Sequence, residues 1–284
     1  MLLEPALLSA LERLQLATRR PLAGRLSGAN PSKRYGSSLD FADYREYQPG
    51  DDFRRIDYTT LARLDQLLVR LYDAEDDLLV RLVVDTSASM GVDQKLTRAA
   101  QIAGALGFVA LTRRDAVSLH APSGAPQRFA GRPAWGRLSA ALDGFTASGV
   151  GSVVDVAAAL LGQTGPPGLT VLCSDLLDEN WEAALRRLPA RGSDVVVVHV
   201  LGAGELRPTL EGDVDLVDIE TGKRVPFSAT SMALDEYHER LDEWLASIEG
   251  LVRRLGAAYL LVDSADDVSD VILRGLQRSE VMSA

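Results

Sequence analysis

Leu78-Leu-Val-Arg-Leu-Val-Val-Asp-Thr-Ser-Ala-Ser89 is an apolar run that ends in an acid and passes at once into small hydroxylated residues. Its run of leucines and valines lacks the in–out alternation of a half-solvated strand, so it predicts a strand buried on both faces. The same grammar recurs downstream. Leu169-Thr-Val-Leu-Cys-Ser174 is a second apolar strand closed by an acid, Asp175, and Asp194-Val-Val-Val-Val-His-Val-Leu201 is a third buried run. Between them lie segments of helical composition. Buried strands separated by helices imply an α/β chain with a mostly parallel sheet and helices on both faces.

Working outward, residues 96–111 read as a helix rich in Ala, Leu and Val, 115–121 as a strand and 127–130 as a short edge strand. Helices are expected at 134–144, 154–162 and 181–188, a hairpin at 213–227 turning on Glu220-Thr-Gly-Lys223, a long helix at 234–255 and a last strand at 258–263. Upstream, leucines at 2, 3, 7, 8, 11, 14 and 16 carry helical spacing, which Pro21 and Gly24 end. Residues 20–77 are irregular: Asn30-Pro-Ser-Lys-Arg-Tyr-Gly-Ser-Ser38 reads as loop and Tyr47-Gln-Pro-Gly-Asp-Asp52 as a turn. Aromatics such as Tyr35, Phe41, Tyr44, Phe53 and Tyr58 argue against full disorder there. The expected organisation is an N-terminal helix (1–19), an irregular segment (20–77), the α/β domain (78–265) and a C-terminal helix or tail (266–284).

Composition narrows the class of function. A formal charge of −10 argues against general nucleic-acid binding, which needs a basic face to neutralise phosphates. The charge is uneven: residues 18–70 hold ten Lys/Arg against seven Asp/Glu, so this stretch is near +3 and the rest near −13, which points to polar contacts with a protein. The single cysteine, Cys173, lies in an apolar run and reads as a small buried hydrophobe rather than a reactive thiol. No apolar run reaches membrane-spanning length and the N-terminus lacks a signal-peptide pattern, so the expected setting is the cytoplasm.

In open α/β sheets ligands bind outside the carboxyl ends of the strands, where Asp85 and Asp175 fall. Asp85, Ser87 and Ser89 alternate directly after a buried strand, so a loop curling over its end turns three oxygens toward one point. Oxygen-only ligands suit hard cations, magnesium above all, with manganese or calcium as substitutes. Two carboxylates and neutral hydroxyls leave a bound metal near charge balance, with a position for a partner's Asp or Glu. The competing reading is plain helix capping, a common role for Ser, Thr and Asp at such junctions.

Val83-Val-Asp-Thr-Ser-Ala-Ser-Met90 resembles the metal-ion-dependent adhesion site of von Willebrand factor type A domains, whose pattern is Asp-x-Ser-x-Ser after the first strand. The resemblance implies a Rossmann-like sheet with Asp85, Ser87 and Ser89 as metal ligands and Asp175 as the later acid. The Thr that such domains supply from an intervening loop has two registers in Val150-Gly-Ser-Val-Val-Asp-Val-Ala-Ala-Ala-Leu160. Ser152 is the nearest hydroxyl, whereas alignment on the Ala-rich helix sets Val154 in that place. Further upstream, Tyr44-Arg-Glu-Tyr-Gln-Pro-Gly-Asp-Asp-Phe-Arg-Arg-Ile-Asp57 resembles the block that precedes the von Willebrand-like domain in the domain-of-unknown-function 58 family. That resemblance implies a partnership with a MoxR-type AAA+ ATPase in chaperone-like assembly or maturation of a client protein, which would bring an acidic side chain to the metal. Arg45, Asp51, Asp52, Arg54, Arg55 and Asp57 are then candidates for a docking face, or else an ion-pair network that pins a segment poor in apolar residues.

Catalytic patterns are largely missing. Ser87 stands where a haloacid-dehalogenase-type phosphatase needs its second Asp, no P-loop occurs, and His120, His199 and His238 form no zinc pattern. The expectation is a metal-dependent binding adaptor, not an enzyme. A metal-dependent hydrolase or phosphatase built on Asp85 and Asp175, and an interaction domain whose metal site has decayed, are the alternatives.

Overall fold

The computed structural model of the chain describes residues 2–16, 41–72, 78–147, 149, 152–162, 168–189, 193–275 and 282–283. Two compact units emerge, residues 21–77 and the remainder.

In the larger unit the leucine-rich start forms α1 (Pro5–Leu11), shorter than the 2–19 helix that the spacing predicts. Its end tightens through Arg13 and Leu14 amides bonded to Ala10 and Leu11 carbonyls, and β1 (Gln15–Leu16) takes over. Leu14 is buried all the same, and its carbonyl accepts from Arg113 Nε, so tertiary contacts override the helical periodicity.

The smaller unit pairs β2 (Phe41–Glu46) antiparallel with a strand that follows α2 (Tyr58–Leu64). That strand is β3 (Leu68–Tyr72). Asp57 caps α2, accepting from the Thr59 and Thr60 amides at 2.9 and 3.2 Å, and the helix stops at Asp65 in the left-handed region. The 30–38 stretch expected as loop lies outside the described residues.

The main sheet begins with β4 (Leu79–Val84), leading through a turn at Ser89 and a kink at 92–94, where Asp93 and Gln94 are left-handed, into α3 (Lys95–Thr112). There follow β5 (Ala116–His120), β6 (Gln127–Ala130), α4 (Trp135–Asp143), α5 (Val153–Gly162), β7 (Gly168–Ser174) and α6 (Trp181–Arg187). The chain continues as β8 (Asp194–Leu201), α7 (Ala203–Leu206), β9 (Gly212–Val217), β10 (Arg224–Ala229), α8 (Ser231–Arg254), β11 (Ala258–Asp263) and α9 (Val268–Asp270). Last comes β12 (Met282–Ser283), paired with β1. The C-terminal segment expected as helix or tail is thus a helical turn over 268–275 and this strand, with 276–281 outside the described residues.

The sheet order is β11-β8-β7-β4-β5-β6, parallel throughout except for β6, which closes one edge antiparallel to β5. Successive residues of β4 face opposite layers. A Cβ at Gly107 of α3 would lie 3.1 Å from Leu82 Cδ1, whereas Val83 joins the core formed with α5, α6 and α8. Helices therefore cover both faces, and the uninterrupted apolar runs are explained. Gly107 lets α3 come close: an added Cβ would stand 2.6 Å from Leu138 Cδ2. Among the described residues no helix is long and apolar enough to cross a membrane.

Candidate functional site

From β4 the chain crosses by α3 to β5 on one side, while from β7 it crosses by α6 to β8 on the other. The carboxyl ends of adjacent β4 and β7 therefore border the crevice where connections diverge, the position at which ligands bind in such sheets. Asp85 and Asp175 follow these two strand ends. The Asp85 amide donates to Cys173 O at 2.9 Å, extending the ladder one residue into the loop.

Asp85 is 5 % exposed. Its Oδ1 accepts from the Ser87 amide at 2.9 Å and its Oδ2 from Ser174 Oγ at 2.5 Å. Burial pushes its pKa above the ordinary carboxylate value; the Ser174 and Ser87 hydrogen bonds oppose this, and the negative charge of nearby Asp175 adds to it. Ser87 Oγ and Ser89 Oγ lie 3.0 Å apart. That is a hydrogen-bond distance, and it is also the edge of an octahedron with magnesium–oxygen bonds near 2.1 Å, about 3.0 Å. Between them in sequence, Thr86 Oγ1 is buried and, among the described residues, one of two buried side-chain polar atoms with no hydrogen-bond partner.

Asp175 has a protein cation of its own. The fully buried Lys95, first residue of α3, places Nζ 2.8 Å from Asp175 Oδ2 and 2.5 Å from Glu205 Oε1. Glu205 in turn accepts from the Gly202 amide at 2.7 Å at the start of α7. The other Asp175 oxygen accepts from the Leu177 amide at 3.3 Å. The Asp175 carbonyl accepts from His199 Nε2, 2.9 Å away; since a carbonyl only accepts, Nε2 carries the proton and Tyr259 OH donates to Nδ1 at 2.9 Å. Burial, joined by the Lys95 charge and opposed by the contacts with Asp175, lowers the His199 pKa to about 4, which keeps this imidazole neutral.

Ser152 does a different job. Its Oγ accepts from the Val154 amide at 3.1 Å, at the start of α5, and donates to Asp178 Oδ2 through a short hydrogen bond. Val154 packs against the core, so its side chain is spent on packing. The loop residues Asp85, Ser87 and Ser89 thus form one oxygen cluster, with Asp175 beside it held by Lys95 and Ser152 engaged by Asp178. Asp85 and the two hydroxyls suit a hard cation that keeps several waters. Among the described residues no group of three or more carboxylates, imidazoles or thiolates converges, so such a site would depend on hydroxyl ligands.

Two participants had no local sequence signal. Lys95 opens α3 in the polar stretch Asp93-Gln-Lys-Leu-Thr-Arg98, where a lysine reads as a solvated residue, yet it is fully buried. Glu220, read only as a turn residue, accepts from the Ser89 amide at 2.9 Å.

In the smaller unit the acids are used locally. Arg45 pairs with Asp51 at 2.8 Å, Asp51 also accepts from the Gln48 amide, and Asp52 accepts from the Arg54 amide at 3.0 Å. The Arg45 guanidinium holds the Asp51 carboxyl below its usual range. Tyr44 OH donates to Asp57 at 2.6 Å. The Arg55 side chain lies outside the described residues. Phe53, Tyr58 and Leu64 are exposed beside these polar groups.

A family model described as "Protein of unknown function DUF58" matches residues 43–243. The chain belongs to that family. It is 29% identical over 283 residues to the uncharacterized protein Rv1480 of Mycobacterium tuberculosis and, at the same identity, to the uncharacterized protein Mb1516 of Mycobacterium bovis; each alignment covers 95% of this chain and 89% of the relative. Among solved structures it is similar to the conserved hypothetical protein BatB from Bacteroides thetaiotaomicron (11% identity, TM-score 0.42, covering 71% of this chain and 98% of that one). It is also similar to an aerotolerance-related membrane protein from Bacteroides fragilis (16% identity, TM-score 0.42, 71% and 99% covered). The family match includes the Gly50–Asp57 block, the Asp85–Ser89 loop, Asp175 and Glu220.

Proposed function

We propose that this DUF58 protein is a metal-dependent binding adaptor of von Willebrand factor A type, in which Asp85, Ser87 and Ser89 hold a magnesium-type cation and a partner's carboxylate completes its shell. The observation that carries the reading is the pair of hydroxyls 3.0 Å apart beside a buried Asp85 at the strand-end crevice. Asp175 would act next to the ion, held by Lys95, and Ser152 would position the neighbouring loop through Asp178. The cation would supply a Lewis-acidic seat for an oxygen anion; the chain's own residues orient it and exclude water on the sheet side. By the family resemblance the partner is a MoxR-type AAA+ ATPase acting with a client protein. We read the site as non-catalytic, because a hydrolase built on Asp85 and Asp175 needs a general base and both nitrogens of the neutral His199 are engaged.

A second reading has one observation in its favour. Lys95 already neutralises Asp175, so this acid needs no metal for charge balance, and the domain would then bind partners as an interaction domain whose metal site has decayed. Calorimetric titration of Mn2+ or Mg2+ separates the two. The adaptor reading expects saturable binding that Asp85→Ala abolishes; no binding in the unaltered protein leaves the lysine-neutralised form. Capture of a MoxR-type ATPase that is indifferent to Asp85→Ala would sink the metal-dependent adaptor.

A further inference from the structure

The hairpin β9–β10 belongs to the larger unit, yet most of its surface faces solvent: Leu216, Val217, Ile219 and Val225 are all exposed. What it delivers to the domain is its turn. Asp218 accepts from the Glu220 and Thr221 amides at 2.9 and 3.3 Å and from Thr221 Oγ1 at 2.5 Å. Gly222, at φ +71°, donates to Asp218 O at 2.7 Å, and the Asp218 amide returns a bond to Lys223 O at 2.8 Å. This self-supported turn fixes Glu220, whose Oε1 accepts from the Ser89 amide at 2.9 Å, across 131 residues of sequence. The far side is closed by Gly149 at φ +66°: a Cβ there would lie 3.4 Å from Glu220 Oε2 and 3.3 Å from Ala88 Cβ. A side chain at 149 would crowd the carboxylate against the loop.

We propose that Glu220 is an internal ligand of the Asp85–Ser89 loop: its carboxylate takes the seat that a partner's carboxylate would take, which makes β9–β10 a tethered competitor for an acidic partner. This rests on the reading of the loop as a cation site. A carboxylate docked on that loop by a preformed turn adds negative charge where a hard cation would sit, and ligand charge count tunes the affinity of such sites. Tethering holds the competitor at an effective concentration in the millimolar range. With little apolar surface buried, the hairpin gives way without disturbing the core, as a displaceable element must.

The test uses the full chain, Mn2+ and acetate. E220Q, a near-isosteric change at an exposed turn, is expected to bind Mn2+ about tenfold more weakly than the unaltered protein. Mn2+ should also slow hydrogen exchange across 212–229 in the unaltered protein and not in E220Q. Acetate titrated into the Mn2+-loaded protein is expected to bind E220A roughly tenfold more tightly than the unaltered chain, since the tethered competitor is gone. Equal Mn2+ affinity in E220Q, unchanged exchange protection, or no gain of acetate binding overturns the internal-ligand proposal while leaving an Asp85-dependent cation site standing. Absence of Mn2+ binding, or binding indifferent to Asp85→Ala, overturns both.

Discussion

Lys95 is a fully buried side chain whose ammonium is held between Asp175 and Glu205. Burying an ammonium and a carboxylate is worthwhile only while both remain paired, because either one alone keeps its desolvation penalty without compensation. Lys95→Met should therefore cost about 3–5 kcal/mol, read from urea unfolding, and Lys95→Met/Asp175→Asn should recover a large share of that loss. A single variant within about 0.5 kcal/mol of the parent would mean that solvent reaches the pair and that the ion pair has no structural role. Such pairings set the limit of what single residues disclose. Asp85, Ser87, Ser89 and Asp175 were legible because their signal is local, an acid or hydroxyl at the end of an apolar run. Lys95 and Glu220 were not, because their partners lie 80, 110 and 131 residues away and no spacing rule links them. Ser152 was found as a hydroxyl near the loop, but its partner, Asp178, depends on how α5 is set against the end of β7.

At the scale of elements the period of the apolar pattern did most of the work. Strands β4, β7 and β8 fall where the apolar runs predict, since burial on both faces leaves runs without in–out alternation that are too short for a helix, and the solvent-facing hairpin falls where its turn residues predict. The N-terminal helix is the exception: leucine spacing fits a helix to 19, but the turn after Leu11 buries Leu14, and β1 then satisfies its backbone against β12. Strand contacts also set limits on substitution that helical or β propensity does not anticipate. Gly168 opens β7 beside β4, and a Cβ there would lie 2.1 Å from the Leu79 carbonyl oxygen, a backbone atom that cannot turn aside. Gly168→Ala should cost about 1–3 kcal/mol or more by forcing the two central strands apart at their amino ends. Thermal unfolding checks it; an unchanged midpoint would show that the strand start yields freely.

For the molecule as a whole, the charge distribution and the buried imidazoles fix how stability responds to acid. His120 on β5 and His199 on β8 both have pKa values lowered to about 4: burial comes first in each, joined by the positive charge of Arg81 near His120 and of Lys95 near His199. Unfolded, each would titrate near 6.5. A depressed folded-state pKa means that the unfolded chain binds more protons in the interval, so stability is full above about pH 6.5 and is lost as pH falls toward 4. Two shifts of this size correspond to roughly 3 kcal/mol each at the upper limit. Asp85 works in the opposite sense: its raised folded-state pKa makes the ionised form costly, and that cost is relieved as acid protonates it. Two imidazoles outweigh one carboxylate, so the urea midpoint should fall steadily between pH 7 and 4.5. His199→Gln, which keeps hydrogen-bonding groups for Tyr259 and the Asp175 carbonyl, should lose part of that slope even if it lowers stability at neutral pH. A midpoint that holds or rises on acidification would place the dominant titration on buried carboxylates, with Asp85 first among them.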